Sequence, residues 1–222
     1  MSAIVFDLDG TLIDSAPDIR AAINRTLVDA GHAPLDLPEV ISFIGRGLPN
    51  LVERAMGMRG IDMADHARLT DTTLMHYNAA SNNLTRVYPA VIPVLTQLRA
   101  DGHRLGICTN KPEEPARKVL DHFKMAHLFD AVVGGDRLSV KKPAPTPLRY
   151  AFAALGEASS LYVGDSEVDA ETAQNAGVDF AFFTQGYCHI PHDKVPQRWR
   201  FDHFDTLPDI VAEAFAVTGQ DR

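Results

Sequence analysis

The 222-residue chain is 45% hydrophobic and 23% charged, which is ordinary for a globular protein and argues against disorder or fibrous structure. Its 21 basic and 29 acidic residues give a net charge of −8, so there is no electrostatic reason to bind nucleic acid or an anionic membrane surface. Two cysteines exclude a disulfide scaffold, and no apolar stretch reaches the ~18–20 residues that cross a bilayer. The first residues lack a basic flank, so we expect no secretory signal and a soluble, cytoplasmic protein.

Amphipathic spacing predicts helices along much of the chain. Ile19, Ile23 and Leu27 fall four residues apart, which indicates one helical face near the start. An i, i+3, i+4, i+7 pattern recurs in later segments, which are 91–98, 116–123, 148–155 and 207–214. Glycine follows several such stripes, as expected where a left-handed residue ends a helix; these are Gly31, Gly102, Gly156 and Gly177.

Short apolar runs lie among these predicted helices, at residues 3–6, 105–108, 131–133, 161–163 and 180–183. Each run is bounded by polar residues or glycine and is too short for a helix. Continuous apolar strands that alternate with amphipathic helices predict a parallel sheet covered on both faces. The predicted fold class is therefore α/β, with a Rossmann-like core.

The segment from residue 15 to 86 breaks this alternation, because it contains helical patterns and no convincing strand. We therefore expect a helical cap domain, residues 15–86, inserted into an α/β core domain made of residues 1–14 and 87–222. A helix over residues 62–82 is the least defined prediction in the cap, because its apolar stripe is weak.

The residues that follow the predicted strands carry most of the candidate chemistry, since ligands in open α/β sheets collect beyond the carboxyl ends of the strands. The segments that follow them are Asp-Leu-Asp-Gly-Thr at 7–11, Thr-Asn-Lys at 109–111, Gly-Gly-Asp at 134–136 with Lys-Lys-Pro at 141–143, and Gly-Asp-Ser-Glu-Val-Asp at 164–169. The candidates among them at this one edge of the sheet are four carboxylates, a hydroxyl group and a lysine, which are Asp7, Asp9, Asp165, Asp169, Thr109 and Lys142.

Carboxylates crowded into one site repel each other, and a divalent cation removes that cost. Hard oxygen ligands with room for water and phosphate suit Mg²⁺. A lysine and the backbone N–H groups of glycine-containing loops would hold an anion beside the metal. These groups together predict phosphoryl transfer through an aspartyl-phosphate.

The same segments resemble, in order, the four motifs of the haloacid dehalogenase superfamily, and their detail is similar to the phosphoglycolate phosphatase group. The motifs are Asp7-Leu-Asp9-Gly-Thr11, Thr109-Asn110, Lys142-Pro-Ala-Pro145 and Gly164-Asp165-Ser-Glu-Val-Asp169. The resemblance runs from residue 4 to about residue 186. It implies a Mg²⁺-dependent phosphatase that acts on a small phosphorylated metabolite, with 2-phosphoglycolate the expected substrate, as a monomer or homodimer.

The resemblance also implies roles for the acidic residues. Asp7 would be the nucleophile and a Mg²⁺ ligand. Asp9 would protonate the leaving oxygen and later deprotonate water, with its backbone carbonyl on the metal. Asp165 would complete the metal site, and Asp169 would support it from behind.

Phosphate and substrate binding are assigned to other residues by the same resemblance. Thr109 and the Asn110 backbone would bind phosphoryl oxygens, and Lys142, rather than the adjacent Lys141, would neutralise the phosphoryl group and orient Asp7. In the cap, we expect Gly45, Arg46 and Gly47 to form a loop that contacts the leaving group through backbone N–H groups or the guanidinium.

Several alternatives stay open at this point. Asp165 and Asp169 could simply cap the helix that follows them, and Gly45–Gly47 could be a plain turn. A sugar phosphomutase, a pyrophosphatase or a nucleotidase would share the same core, and a binding module could use a degenerate one. Dehalogenases and phosphonate-cleaving members lack an acid two residues after the nucleophile, so Asp9 argues against both.

Two further features carry less weight. His189 and His192, beside Asp193, could suggest a second metal site, but a polar surface loop is the stronger interpretation. Cys108 lies inside an apolar run, so we expect a buried small side chain rather than a nucleophile.

Overall fold

The chain alternates strands and helices over residues 2–80, 82–156 and 160–216, which the computed structural model describes. The strands are β1 (Ala3–Phe6), β2 (Ile13–Asp14), β3 (Arg86–Val87), β4 (Arg104–Cys108), β5 (Ala131–Val133), β6 (Ser160–Gly164), β7 (Asp179–Phe183) and β8 (Trp199–Phe201). The α-helices are α1 (Ala16–Asp29), α2 (Leu37–Ile41), α3 (Leu48–Arg59), α4 (His66–Ala80), α5 (Val91–Ala100), α6 (Glu113–His122), α7 (Pro145–Leu155), α8 (Glu167–Ala176) and α9 (Leu207–Ala216).

One parallel sheet organises the described residues, with strand order β5-β4-β1-β6-β7-β8. The central strand β1 is apolar and fully buried, as expected for a strand covered on both faces. Ile4 and Phe6 pack with α5, α6 and α9 on one face, while Ala3 and Val5 pack with α7 and α8 on the other. The predicted α/β class with a Rossmann-like parallel sheet is confirmed.

Helices α1 to α4 lie between β2 and β3 in the chain and form their own apolar cluster. Helix α4 packs against α1 and α3 and buries Leu69, Thr73 and Tyr77, which recur every four residues along one face. The weakest predicted helix is therefore present, although it begins at His66 rather than at residue 62. The division into a cap of residues 15–86 and a core of 1–14 and 87–222 stays a prediction, and residues 217–222 lie outside the described ranges.

Three short strands, β2, β3 and β8, were not predicted from the sequence. Strands β2 and β3 pair antiparallel where the chain leaves and re-enters the sheet region, and each contains only two residues. Strand β8 adds a parallel edge strand next to β7, and its sequence Trp-Arg-Phe is not a continuous apolar run. Within the described ranges, no helix is long and apolar enough to cross a membrane.

Candidate active site

The predicted catalytic segments meet at the carboxyl edge of three neighbouring strands. Residues 7–11 follow β1, residues 109–111 follow β4, and Asp165 follows β6. Lys142 comes from the loop before α7 and lies against them. This gathering follows from the topology, because adjacent parallel strands all end at the same edge of the sheet.

Lys142 lies between two carboxylates in the floor of the site. Its Nζ is 3.0 Å from Asp7 Oδ1 and 2.7 Å from Asp169 Oδ1, and it donates a hydrogen bond of 3.0 Å to the Tyr162 hydroxyl. Only 1% of the Lys142 side chain is exposed. Burial alone would lower the pKa of Lys142, but Asp169 and Asp7 outweigh it and raise the pKa, so the ammonium stays charged.

Asp169 has both of its oxygens fully engaged. Oδ1 accepts hydrogen bonds from Lys142 and Tyr162, and Oδ2 accepts them from the N–H groups of Asp165 and Ser166 and from the Ser166 hydroxyl. Ser166 in turn caps α8 by accepting from the N–H of Asp169, so the two residues form a reciprocal capping box. Asp169 therefore caps its helix and also holds Lys142, which combines the two interpretations left open by the sequence.

Asp165 is held by donors on two sides. The Thr11 hydroxyl donates to its Oδ1 at 2.5 Å, and the backbone N–H of Tyr187 donates to its Oδ2 at 2.7 Å. A Cβ at Gly10, whose φ is +89°, or at Gly186 would overlap the Asp165 carboxylate. Glycine is thus required at both positions for the backbone to approach this side chain so closely.

The site contains a group of carboxylates suited to a cation. Oxygens of Asp7, Asp165 and Asp169 all lie within 4.8 Å of one another, and residues 2–80, 82–156 and 160–216 contain no second such group of His, Cys, Asp or Glu. Asp7 Oδ1 is buried and, although close to Lys142, has no hydrogen bond of proper geometry. Burial raises the pKa of Asp7 to about 7 and holds the pKa of Asp165 well above its ordinary value. A divalent cation would offset that cost, so the donor set fits one.

Asp9 lies on the other side of the site and has its own partners. Lys111 Nζ is 3.1 and 3.2 Å from the two Asp9 carboxylate oxygens and donates to the Tyr77 hydroxyl at 2.7 Å. The Ser15 hydroxyl donates to Asp9 Oδ1 at 2.6 Å. No role for Lys111, Tyr77 or Ser15 was predicted from the sequence. Lys111 directly follows Thr109-Asn110 at a strand end and was detectable there, whereas Tyr77 shows only the spacing of a buried helix face.

Thr109 and Asn110, which the resemblance implies as phosphate-binding residues, lie beside Asp7 around one cavity. The Asn110 side chain also forms hydrogen bonds with two other segments, at Lys142 and at Gly45. It exchanges hydrogen bonds with the backbone of Lys142, at 3.0 and 3.1 Å, and donates to the carbonyl oxygen of Gly45 at 2.8 Å. Asn110 therefore links the predicted phosphate-binding loop to the predicted cap loop.

The loop of residues 45–47 contacts the site through its two glycines rather than through its arginine. Gly45 and Gly47 line the same cavity as Asp7 and Asn110. Arg46 is exposed, does not line the cavity, and has no hydrogen bond or ion pair within the described residues. Gly47 has a φ of +86°, and a Cβ there would lie 3.2 Å from the Asn110 carbonyl oxygen, so the loop needs glycine. Of the two modes of contact that the sequence left open, the geometry favours the backbone.

His189 joins the strand-end region to helix α2, and this contact predicts a pH-dependent stability. Its Nδ1 lies 2.8 Å from Glu167 Oε1, and its Nε2 lies 3.1 Å from the carbonyl oxygen of Ile41. Both partners are acceptors, so both ring nitrogens must carry hydrogen, as in the imidazolium. The bond to Glu167 raises the pKa of His189, against burial and the nearby Arg54. In return, the pKa of Glu167 falls to about 2, because bonds from His189 outweigh burial.

A raised histidine pKa stabilises the fold fully below the unfolded value of ~6.5 and loses that contribution as pH rises through the folded pKa. We therefore expect wild type to exceed His189→Gln in free energy of unfolding by about 1 kcal/mol at pH 6, with a smaller difference at pH 9. Denaturant titrations of both proteins at the two pH values measure this. A difference that stays constant with pH would show that His189 contributes as a neutral ring.

His192 belongs to no group of metal-binding side chains within the described residues. Its ring packs edge-on against Phe182, with the ring centroids 5.1 Å apart. Cys108 is completely buried in β4, as predicted, and burial raises the pKa of its thiol to about 12. The interpretation of Cys108 as a packing residue rather than a nucleophile agrees with both observations.

The fold and the carboxylate site together match one protein family. The model of the haloacid dehalogenase-like hydrolase family matches residues 4–183, which include all the strand-end segments described above. The chain belongs to the haloacid dehalogenase-like hydrolase family.

Individual relatives are similar along nearly the whole chain. A protein named phosphoglycolate phosphatase from Cereibacter sphaeroides is 48% identical over 218 residues, which cover 97% of this chain and all of that protein. One of the same name from Rhodobacter capsulatus is 41% identical and covers 94% and 96% of the two chains. The crystal structure of a predicted phosphoglycolate phosphatase from Haemophilus somnus has a TM-score of 0.90 at 32% identity, with 95% and 98% covered.

Proposed function

We propose that this protein is a Mg²⁺-dependent phosphatase that hydrolyses 2-phosphoglycolate to glycolate and phosphate. The observation that carries the proposal is the Asp7 carboxylate, buried beside Lys142 and Asp165 with one oxygen free of hydrogen bonds. The names of the full-length relatives supply the substrate.

In the proposed first step, a carboxylate oxygen of Asp7 attacks phosphorus and the bond from phosphorus to the ester oxygen breaks. Asp9 gives its proton to that oxygen, so glycolate leaves as the alcohol and Asp7 carries the phosphoryl group. In the second step, water attacks phosphorus while Asp9 takes its proton. Inorganic phosphate leaves and the Asp7 carboxylate is restored.

Other residues hold the phosphoryl group and Asp7 during these steps. Lys142 would neutralise phosphoryl oxygens and fix Asp7, while the Thr109 hydroxyl and the Asn110 backbone N–H would donate hydrogen bonds to them. Asp7, Asp165 and the Asp9 backbone carbonyl would hold Mg²⁺, with Asp169 orienting Lys142 from behind. The bound cation would supply charge neutralisation at the phosphoryl group.

Removal of metal is expected to abolish activity. Chelation should reduce turnover to background, and Mg²⁺ should restore it, because two buried carboxylates with raised pKa values need a cation to act as charged ligands. Ca²⁺ should restore little, since it prefers more ligands and longer bonds than this small oxygen site offers. Steady-state rates after chelation and re-addition of each ion measure this; full activity in chelator would contradict the metal dependence.

The substrate is tested with a panel of phosphate compounds assayed with Mg²⁺. We expect the highest kcat/KM for 2-phosphoglycolate, with lower values for a hexose 1-phosphate, a nucleoside monophosphate and pyrophosphate. Turnover of the hexose phosphate that depends on added bisphosphate would instead identify a phosphomutase. A higher kcat/KM for pyrophosphate would instead identify a pyrophosphatase, and one for the nucleoside monophosphate would identify a nucleotidase.

A further inference from the structure

The cavity over Asp7 contains one cationic side chain among its described lining residues, and that side chain is Lys111. Its walls are otherwise largely apolar, formed by Ile19, Ile44, Leu48, Leu51 and Leu74. Lys142 is not part of this lining, because it lies below Asp7 and is engaged with Asp169 and Tyr162. The leaving group of a substrate seated on Asp7 therefore faces Lys111 rather than Lys142.

Lys111 and Tyr77 each present a hydrogen-bond donor to the cavity when Asp9 is protonated. The three N–H groups of the Lys111 ammonium lie within hydrogen-bond distance of both Asp9 carboxylate oxygens and of the Tyr77 hydroxyl. Asp9 is protonated in the proposed first step, so one of its oxygens then becomes a donor and one Lys111 N–H is released toward the cavity. Tyr77 accepts that hydrogen bond, and its own phenolic proton has no acceptor in the described chain. Two adjacent donors, whose heavy atoms are 2.7 Å apart, are thus available in a buried, mostly apolar space.

We propose that Lys111 and Tyr77 select substrates whose leaving group carries a carboxylate, by donating one hydrogen bond each to its two oxygens. This inference rests on the proposed phosphatase function and names the residues that recognise its substrate. A carboxylate on the leaving group accepts a charge-assisted hydrogen bond from the Lys111 ammonium. A neutral leaving group offers no negatively charged acceptor to these buried donors, so it is bound less tightly.

The pair joins the two parts of the chain that must come together over a substrate. Lys111 follows the core strand β4, and Tyr77 lies in α4 of the helical segment. The donor pair is complete only while α4 lies against the core, so recognition of the carboxylate is coupled to closure of the site. A substrate without the carboxylate gains less from that closure.

The rival explanation is that Lys111 only positions Asp9. Ser15 already donates to Asp9 at 2.6 Å, so Asp9 keeps one partner when Lys111 is replaced. A purely positioning lysine affects the proton transfer common to all esters, and its loss lowers kcat/KM equally for charged and neutral substrates. Recognition of the carboxylate lowers it unequally, which separates the two roles.

The experiment compares 2-phosphoglycolate with 2-hydroxyethyl phosphate, in which a neutral hydroxymethyl group replaces the carboxylate. We expect Lys111→Met to lower the ratio of their kcat/KM values by about 10–150-fold, the size of a lost charged hydrogen bond. Tyr77→Phe should lower the same ratio by about 3–10-fold. It removes only a hydroxyl group and serves as the second variant if Lys111→Met fails to fold.

Lys141→Met is the matched control, because Lys141 is an exposed lysine near the same loop and should leave the ratio unchanged. Equal losses on both substrates in Lys111→Met and Tyr77→Phe would overturn the inference in favour of positioning. A fall in the ratio for Arg46→Met, with none for Lys111→Met, would assign recognition to Arg46 instead. Failure of wild type to hydrolyse phosphoglycolate, with a preference for another carboxylate ester over its neutral counterpart, would reject only the proposed substrate.

Discussion

Replacement of Asp7 by asparagine is expected to reduce turnover by more than about 10⁴-fold while the protein still folds. The amide is a poor nucleophile and a weaker metal ligand than the carboxylate, so both proposed roles of Asp7 are lost together. The fold should survive, because Lys142 loses its ion pair with Asp7 but keeps the one with Asp169 at 2.7 Å, and asparagine has nearly the same size as aspartate. Steady-state rates of freshly purified Asp7→Asn, checked by mass spectrometry for deamidation, measure the effect.

Asp9→Asn is the matched comparison, since it changes the neighbouring carboxyl in the same way. Loss of general acid–base catalysis alone usually lowers rates by about 10²–10⁴-fold, so this variant should keep more activity than Asp7→Asn. Substantial steady turnover by deamidation-free Asp7→Asn would remove the aspartyl-phosphate mechanism.

Lys142→Ala is expected to lower kcat by at least about 10²–10³-fold, whereas Lys141→Ala should stay within a few-fold of wild type. Lys142 is buried between Asp7 and Asp169, while Lys141 is exposed. Loss of the buried ammonium also leaves two carboxylates unpaired, so we expect destabilisation of about 3–5 kcal/mol.

Thermal unfolding and steady-state kinetics of the two variants are measured together, at a temperature where both are folded. The more conservative Lys142→Met keeps the packing of the alkyl chain and separates loss of charge from loss of volume. A larger effect of Lys141→Ala than of Lys142→Ala would show that the motif is displaced by one residue.

The sequence was sufficient to predict which segments meet at the strand ends, because the topology of a parallel sheet determines where they lie. Asp7, Thr109 and Asp165 each follow a continuous apolar run, and those runs become the neighbouring strands β1, β4 and β6. Once the strands are parallel and adjacent, their carboxyl ends must share one edge. The proximity of Asp7, Thr109 and Asp165 could therefore be predicted without knowledge of any long-range contact.

Contacts between the helical segment and the core were the part that sequence patterns missed. Tyr77 continues the buried face of Leu69 and Thr73, so its spacing reports packing and not the hydrogen bond to Lys111. Arg46, a charged residue between two glycines, was predicted as a possible contact to the leaving group. Its side chain is exposed, whereas the flanking glycines line the cavity. Such contacts depend on how segments far apart in the chain pack together, and local hydrophobic spacing does not show this packing.

Short secondary structure was missed for a different reason. Strands β2 and β3 contain two residues each and have no room for a pattern, and they form only because they pair with each other. In β8, Arg200 interrupts the apolar run between Trp199 and Phe201, as an edge strand tolerates. These elements follow from tertiary pairing rather than from local preference.

Mapping the phosphoryl group in the Asp9→Asn variant decides whether Asp7 is the nucleophile. An aryl phosphate has a leaving group that needs no proton, so phosphorylation should proceed while hydrolysis, which needs Asp9 as a base, is slow. Acid quenching, proteolysis and mass spectrometry should then place the phosphoryl group on Asp7. Its appearance on any other residue, or aryl phosphate turnover by Asp9→Asn with no phosphorylated protein at any time, would contradict a phosphorylated Asp7 intermediate.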